Sequence, residues 1–270
     1  MSRVAPWPID VAVNLSATID ETIFAAPSAA AQFGPLVLEG RSVRRVRGRA
    51  MGVATTPVTF WSPKTRYVYP SVPTTMTFSS SSVNDTEAGT GMRTMAILGL
   101  AADYGLTIEL VTLDGQNAGN SAVQWLRLLR LFGVGVGSSG ENEGTVYLGT
   151  GTVTAGVPAT TYALIDPLKG ESLMAVDTVP AGKRLIITSA YMSSGQGKTI
   201  DADLFIREPD QCWRSRQNFT GTQSEVERLR NFPIVVPPTS DIEFRGNVDL
   251  AMADVACGYE GYWEDVTVVE

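Results

Sequence analysis

The sequence predicts an all-β protein with two β-sandwich (jelly-roll-like) domains and an extended N-terminal arm. Three observations support this class. Short runs of β-branched and aromatic residues recur at close spacing, the connectors between them are rich in Gly, Ser, Asn and Asp, and the chain combines 26 Gly and 15 Pro with only 18% charged residues. Regularly spaced short strands separated by turn residues are typical of sandwiches.

Residues 1–70 are predicted to form the N-terminal arm and edge strands. Prolines interrupt this part of the chain, and a segment interrupted in this way usually runs along a surface that already exists. The positions are Pro6, Pro8, Pro27 and Pro35. We expect no secretion signal, since no continuous apolar stretch follows Arg3.

A cluster of five arginines within nine residues is the densest charge feature of the sequence. Its members are Arg41, Arg44, Arg45, Arg47 and Arg49. Guanidinium groups match both phosphates and carboxylates. Because the whole chain carries a formal net charge of −7, a contact with an acidic protein surface is favoured over one with nucleic acid. The alternative is a strand whose exposed face happens to be basic, with Val43 and Val46 partly buried.

Residues 71–157 are predicted to form the first sandwich, with five strands at short spacing. These strands are 74–78, 93–98, 106–113, 123–136 and 144–153. The segment 122–132 also fits a helix, because several of its apolar residues fall at helical spacing. Gly133, Gly135 and Gly137 alternate with valines directly afterwards, which favours a strand packed closely against a neighbour. We therefore predict strand throughout this segment.

Residues 171–270 are predicted to form the second sandwich, after a loop at 157–170 that is rich in Pro, Thr and Gly. Its clearest part is 173–207, where a VPAGK turn at 179–183 and a glycine-rich turn at 193–198 separate candidate strands. Apolar residues alternate with mostly polar ones along 200–207, so one face of that strand is expected in the core. A short helix is predicted at Ser224–Arg230, opened by a serine N-cap with Glu227 three residues later.

Composition excludes most catalytic chemistry. The chain has no histidine, which removes the commonest general base, the usual zinc ligand and the Ser-His-Asp triad together. Cys212 and Cys257 are predicted to be reduced thiols, although a single bridge between them stays open. We predict no catalytic residue, no cofactor and no metal site.

Two further groups of residues leave alternatives open. Asp201 and Asp203 share one face of a predicted strand and could form the acid pair of a glycoside hydrolase or bind an adventitious cation such as Ca²⁺, although exposed acid pairs are common. Tyr259, Tyr262 and Trp263 lie close to the C-terminus, where aromatic residues are more often core or interface anchors than a sugar platform. These three aromatics and the five arginines are the candidate partner contacts.

Four turn motifs carry a resemblance to a known group of proteins. The motifs are ND-x-x-x-GTG-x-R with Asn84, Asp85, Gly89, Gly91 and Arg93; G-L-x-x-D-Y with Gly99, Leu100, Asp103 and Tyr104; TLDG at 112–115; and VPAGK at 179–183. In these motifs the chain resembles a widespread group of virion proteins from tailed bacteriophages. The resemblance covers residues 74–207.

The resemblance implies a non-enzymatic structural component of a tailed-phage virion, made in the host cytoplasm. We expect an accessory capsid (decoration) or neck protein that forms homo-oligomers through symmetric contacts. Its expected partners are capsid, portal-proximal or tail subunits, with neither membrane nor nucleic acid among them. The alternative is a tail or fibre-base protein with a receptor-binding or polysaccharide-degrading role.

Overall fold

The computed structural model describes residues 41–195, 198–221, 226–249 and 252–266. Most of the predicted N-terminal arm, residues 1–40, lies outside the described residues. The described ranges contain sixteen β-strands and no helix, which confirms the all-β class. The strands are β1 (Arg41–Val53), β2 (Val58–Thr59), β3 (Thr74–Ser80), β4 (Met92–Leu100), β5 (Leu106–Thr112), β6 (Gly119–Trp125), β7 (Arg127–Val136), β8 (Val146–Thr154), β9 (Val157–Ile165), β10 (Val176–Thr178), β11 (Lys183–Ser194), β12 (Ile200–Arg207), β13 (Arg214–Gly221), β14 (Val226–Val236), β15 (Asp241–Val248) and β16 (Ala253–Asp265).

These strands make four antiparallel sheets, and every pairing between them is antiparallel. The strand orders are β6-β3-β8-β9, β5-β4-β7, β1-β16-β11-β14, and β10-β15-β12-β13 with β2 added beside β15. The four sheets do not make a clear layout of two sandwiches.

Two hydrophobic cores lie among these sheets. One is formed mainly by β3 to β9, with Trp125 and Ile97 fully buried at its centre. The other is formed mainly by β1 and β10 to β16, and contains Tyr259 and Phe244. The edge strand β1 therefore contributes to the same core as the C-terminal strands, since it pairs along its length with β16.

The segment 122–132 is strand, as predicted, but it is divided between β6 and β7 at Leu126. Gly99 on the neighbouring strand β4 explains the close packing there. A Cβ at Gly99 would lie 2.4 Å from the carbonyl oxygen of Arg127 and 2.7 Å from the ring of Trp125. The large indole ring is accommodated because the strand beside it carries no side chain at that point.

The short helix predicted at Ser224–Arg230 is wrong where the structure describes it. Residues from Val226 onward belong to β14, whose backbone pairs with β11, for example Val226 with Met192. Ser224 lies outside the described residues. A capping sequence is a local signal worth about 1 kcal/mol, and pairing along a long neighbouring strand overrides it.

The first resemblance motif forms a loop closed around a buried carboxylate. Asp85 is fully buried, and its oxygens accept hydrogen bonds from the amides of Met92 (2.8 Å), Glu143 (3.0 Å) and Gly144 (2.9 Å) and from the hydroxyl of Ser80 (2.6 Å). A Cβ on Gly91, the second glycine of the motif, would lie 2.0 Å from Oδ1 of Asp85. The motif is therefore a structural device that fastens two loops to the start of β4.

Two other motif turns contact each other between the two cores. Tyr104 of G-L-x-x-D-Y accepts a hydrogen bond at its carbonyl oxygen from the amide of Ala181 in VPAGK, at 3.0 Å. Tyr104 has a φ of +60° and Gly182 a φ of +71°, so both turns include the left-handed conformation. The paired turns help to fix the two halves of the described chain against each other.

Candidate functional site: an arginine cleft beside an exposed apolar stripe

The register of β1 against β16 brings together the two groups of candidate contact residues. Val46 lies opposite Tyr259, Val43 opposite Tyr262 and Ser42 opposite Trp263. The arginine cluster and the three aromatics, which are more than 200 residues apart in sequence, therefore occupy neighbouring strands.

Alternation along β1 divides the arginines between two faces. Arg45 and Arg47 point outward and are exposed, together with Val43, whereas Arg44 points inward and is only 6% exposed. Arg45 pairs with Glu260 of β16 at 2.8 Å. Arg47 makes no ion pair within the described part of the chain, so its charge is open to a partner.

The two remaining arginines of the cluster pair at the ends of the strand. Arg41 pairs with Glu264 at 2.9 Å, and Arg49 pairs with Asp254 at 3.5 Å. Glu264 and Asp254 both belong to β16, so both contacts join β1 to β16. They reinforce the strand pairing and leave less free charge at these positions than at Arg47.

Arg44 is held in a buried network with Asp177 of β10. Its guanidinium donates to both carboxylate oxygens, at 2.9 and 2.6 Å, the hydroxyl of Tyr259 donates to the same carboxylate, and the guanidinium lies 4.8 Å over the ring of Trp263. Burial is the largest single effect on the pKa of Arg44 and would lower it, but the charges of Asp177 and Tyr259 and their hydrogen bonds together outweigh burial, and the pKa is raised. Burial, followed by the charge of Asp177, raises the pKa of Tyr259 well above its usual value.

This burial corrects the list of candidate contact residues. Tyr259, Tyr262 and Trp263 are at most 5% exposed. Tyr259 and Trp263 belong to the core of their own chain, and Tyr262 is buried on the other face of β16. Alternation along β16 would have placed Tyr259 and Trp263 on one face, but it puts Tyr262 on the other, and the burial of both faces is not visible in the sequence. The predicted partner contact stays a prediction for the exposed arginines.

A cleft of about 600 Å³ separates β1 from strands β4 and β7. Arg44, Arg45 and Arg47 form one wall, Arg130 stands on the other, and Glu171 is its acidic residue. Arg130 pairs with Glu171. Burial first, and then the charges of Arg44 and Arg47, lower the pKa of Arg130. Three of these four arginines pair with carboxylates, and Arg47 makes no ion pair within the described ranges, so its charge makes the cleft suited to carboxylates or other anions.

The sheet formed by β5, β4 and β7 exposes an apolar stripe on its edge strand β5, which sequence reasoning missed. Leu106, Ile108 and Leu110 of β5 are 46%, 57% and 62% exposed. Ile108 lies directly opposite Leu98, which lines the arginine cleft, so stripe and cleft are one strand apart. The signal was the alternation of apolar with polar residues along β5. Such a pattern usually means apolar side chains inside, and here they point outward.

A second cleft, of about 720 Å³, is lined by arginines and aromatic rings in alternation. Arg127 lies 5.1 Å over the ring of Tyr69, and Arg207 lies 5.4 Å over the same ring and 4.6 Å over that of Trp213. Asp241 accepts hydrogen bonds from both arginines. Cation–π and ion-pair contacts of this kind join the two cores, because Arg127 belongs to β7 and Asp241 to β15.

The acid pair considered for glycoside hydrolysis lies on an open strand surface. Asp201 is exposed and Asp203 half-buried on β12, and both contact Asn218 of the adjacent β13. Neither residue lines the clefts described above. Within the described ranges no group of three or more Cys, Asp or Glu could hold a metal ion. Cys212 and Cys257 are free thiols, the first exposed and the second buried.

The chain matches no protein-family model, and no curated protein matches it. Among solved structures it is similar to infectious bursal disease virus, Gt strain, at 10% identity over 90% of this chain and 77% of that chain, with a TM-score of 0.23. It is similar to the STIV MCP at 10% identity over 82% of this chain and 96% of that chain, with a TM-score of 0.24. A third similarity is to the VP2 subviral particle of infectious bursal disease virus, at 10% identity over 90% and 77% of the two chains and a TM-score of 0.23. Similarities of this size do not define a shared fold and carry no weight for function.

No helix among the described residues is long and apolar enough to cross a membrane.

Proposed function

We propose that this protein is a non-enzymatic structural component of a tailed-phage virion, of the accessory capsid (decoration) or neck type, present in several copies. The observation that carries the proposal is the exposed stripe of Leu106, Ile108 and Leu110 on an edge strand, one strand away from the arginine cleft. Contiguous exposed apolar side chains on an unpaired sheet edge are features that proteins normally cover with a partner. The turn motifs that resemble those of phage virion proteins support the same class.

The roles of the motif residues favour a structural protein over an enzyme. Asp85, the carboxylate in the most distinctive motif, is fully buried and accepts its hydrogen bonds from backbone amides and a serine hydroxyl. Tyr104 fixes a turn through its backbone. Residues used in this way shape loops and leave no group free for chemistry.

The exposed arginines are proposed to bind an acidic surface of another virion protein. Exposed ion pairs contribute little affinity each, but a row of like charges orients and accelerates docking. In a phage that lacks its own copy of the gene, the double variant Arg45→Glu and Arg47→Glu should fold normally yet enter particles at least 10-fold less than wild type. Arg66→Glu, which reverses an exposed charge away from this surface, is the matched control. Full incorporation of the double variant would show that these arginines are not the dock.

Placement on the head or neck rests on the predicted N-terminal arm. Deleting residues 1–40 tests it without removing any part of β1, which begins at Arg41. We expect the shortened protein to fold and to be lost from particles. If it enters particles at the wild-type copy number, the arm is not the anchor.

A second candidate, a receptor-binding protein at the tail or fibre base, is favoured by the cleft lined by Tyr69, Trp213 and Arg207. Aromatic rings and guanidinium groups in one cleft suit sugars that carry acidic groups. Direct binding of the purified protein to host cells, abolished by Trp213→Ala, would support this role. Absence of binding by the wild-type protein would remove it.

A further inference from the structure

Strand β5 has one free edge within the described part of the chain. It pairs with β4 along one side and is the last strand of its sheet. The amide of Leu113 donates to the carbonyl of Arg93 at 2.9 Å. This bond shows which residues of β5 direct their backbone groups toward β4. Odd-numbered residues of β5 therefore bond to β4, and the N–H and C=O groups of Leu106, Ile108 and Leu110 point to the open side.

The free edge lacks the sequence features that normally prevent an edge strand from pairing with another chain. β5 contains no lysine, no proline and no bulge in its register with β4. Its one charged residue, Glu109, turns toward β6 and accepts hydrogen bonds from the amides of Ala122 (2.7 Å) and Val123 (3.2 Å). The same three residues thus offer unpaired backbone groups and exposed apolar side chains, with no charge on that face.

We propose that a second copy of this chain pairs with β5 about a two-fold axis, joining two three-stranded sheets into one six-stranded sheet. The inference deepens the proposed function, since it names the symmetric contact of a subunit present in several copies. The two β5 strands run antiparallel with Ile108 opposite the partner's Ile108. Leu106 of each copy then lies opposite the partner's Leu110, and the outward N–H and C=O groups of Leu106, Ile108 and Leu110 each find a partner.

Two copies of β5 complement each other better when the two-fold axis passes through Ile108 than when it passes through Thr107 or Glu109. A shift that centres the axis on Glu109 would place two carboxylates opposite each other, which is destabilising. A shift that centres it on Thr107 would leave Leu110 opposite residue 104, which lies outside the strand. Centring on Ile108 pairs residues 106–110 of the two copies, the part of the strand that carries all three exposed apolar side chains, and sets Glu109 opposite Thr107. Such self-complementarity is what a second copy requires and what an unrelated partner does not.

Cross-linking at the axis tests the register. In a background with the exposed Cys212 changed to serine, Ile108→Cys should form a disulfide-linked dimer on mild oxidation. Directly opposed residues of a hydrogen-bonded antiparallel pair have Cα atoms about 5.5 Å apart, within the range that a disulfide spans. Val72→Cys, at a position of similar exposure outside the sheets, is the matched control and should stay largely monomeric. Equal cross-linking of the two variants would overturn the proposal.

Solution mass tests the pairing without a cross-link. Light scattering after gel filtration should show a wild-type dimer, and Ile108→Asp should weaken dimerisation at least about 100-fold, because it buries carboxylates on an apolar seam. Val72→Asp should leave the dimer intact. A monomeric wild type at all concentrations, or an Ile108→Asp dimer as tight as wild type, would overturn the pairing.

The two proposals fail in different ways. A wild-type chain that is found in virions but never dimerises refutes the β5 pairing and leaves the virion role standing. A dimer whose chain is absent from virions refutes the role and leaves the pairing standing.

Discussion

Replacing Arg44 by methionine should strongly destabilise the protein. Met keeps most of the side-chain volume but leaves the carboxylate of Asp177, which is fully buried, with only the hydroxyl of Tyr259 as its neighbour in the network. Two charge-assisted hydrogen bonds, at 2.9 and 2.6 Å, are lost together with the stacking on Trp263. Removing one partner of a buried ion pair typically costs about 3–5 kcal/mol, and we expect the free energy of unfolding to fall by that amount.

Denaturant unfolding at pH 7, followed by tryptophan fluorescence, measures this loss. Arg47→Met is the matched control, because Arg47 lies on the same strand but is exposed, and its change should be within about 0.5 kcal/mol. The double variant Arg44→Met with Asp177→Leu removes both charges and should recover most of the loss, since uncharged buried pairs are often as stable as ionic ones. An Arg44→Met protein within about 1 kcal/mol of wild type would refute the assignment of Arg44 to the core.

Three further predictions follow from the fold. Asp85→Asn should lower the free energy of unfolding by about 2–3 kcal/mol, because an amide cannot accept every hydrogen bond that converges on the carboxylate; denaturant unfolding that gives less than about 1 kcal/mol would contradict the loop-fastening role. Gly99→Ala should lower the free energy of unfolding by about 1–3 kcal/mol through overpacking against Trp125. Gly140→Ala adds a Cβ at an open site, where only the positive φ opposes the change. Burial raises the pKa of Tyr259, so the folded protein keeps a proton that the unfolded chain loses above pH 10. The share of stability that this group contributes should be constant below that pH and fall above it by about 1.4 kcal/mol per pH unit. Tyr259→Phe should remove one such share of the alkaline loss, and an unchanged slope would contradict the assignment.

The sequence was sufficient for the fold class because alternation and turn residues are local signals. The run 200–207 alternates as β12 does, and the glycines after 132 mark a strand as expected. The helix at Ser224–Arg230 was mispredicted for the converse reason, since pairing with β11 is a long-range contact that a capping pattern does not report.

The candidate site was only half predictable from sequence. Composition alone located the arginine cluster, but which arginine is buried depends on Asp177, more than 130 residues away. The β5 stripe was not predicted, because apolar residues that alternate with polar ones along a strand usually face inward. That assumption fails where a carboxylate such as Glu109 is drawn inward by free backbone amides of a neighbouring strand.

The proposed role is that of a structural virion component present in several copies. Quantitative mass spectrometry of gradient-purified particles of the phage proposed to encode it tests this role, with the major capsid protein as the internal standard. We expect the intact chain at a fixed ratio to the capsid protein, reproducible between preparations and corresponding to several copies per particle. A chain confined to the soluble fraction of the lysate, with none in the particles, would contradict it.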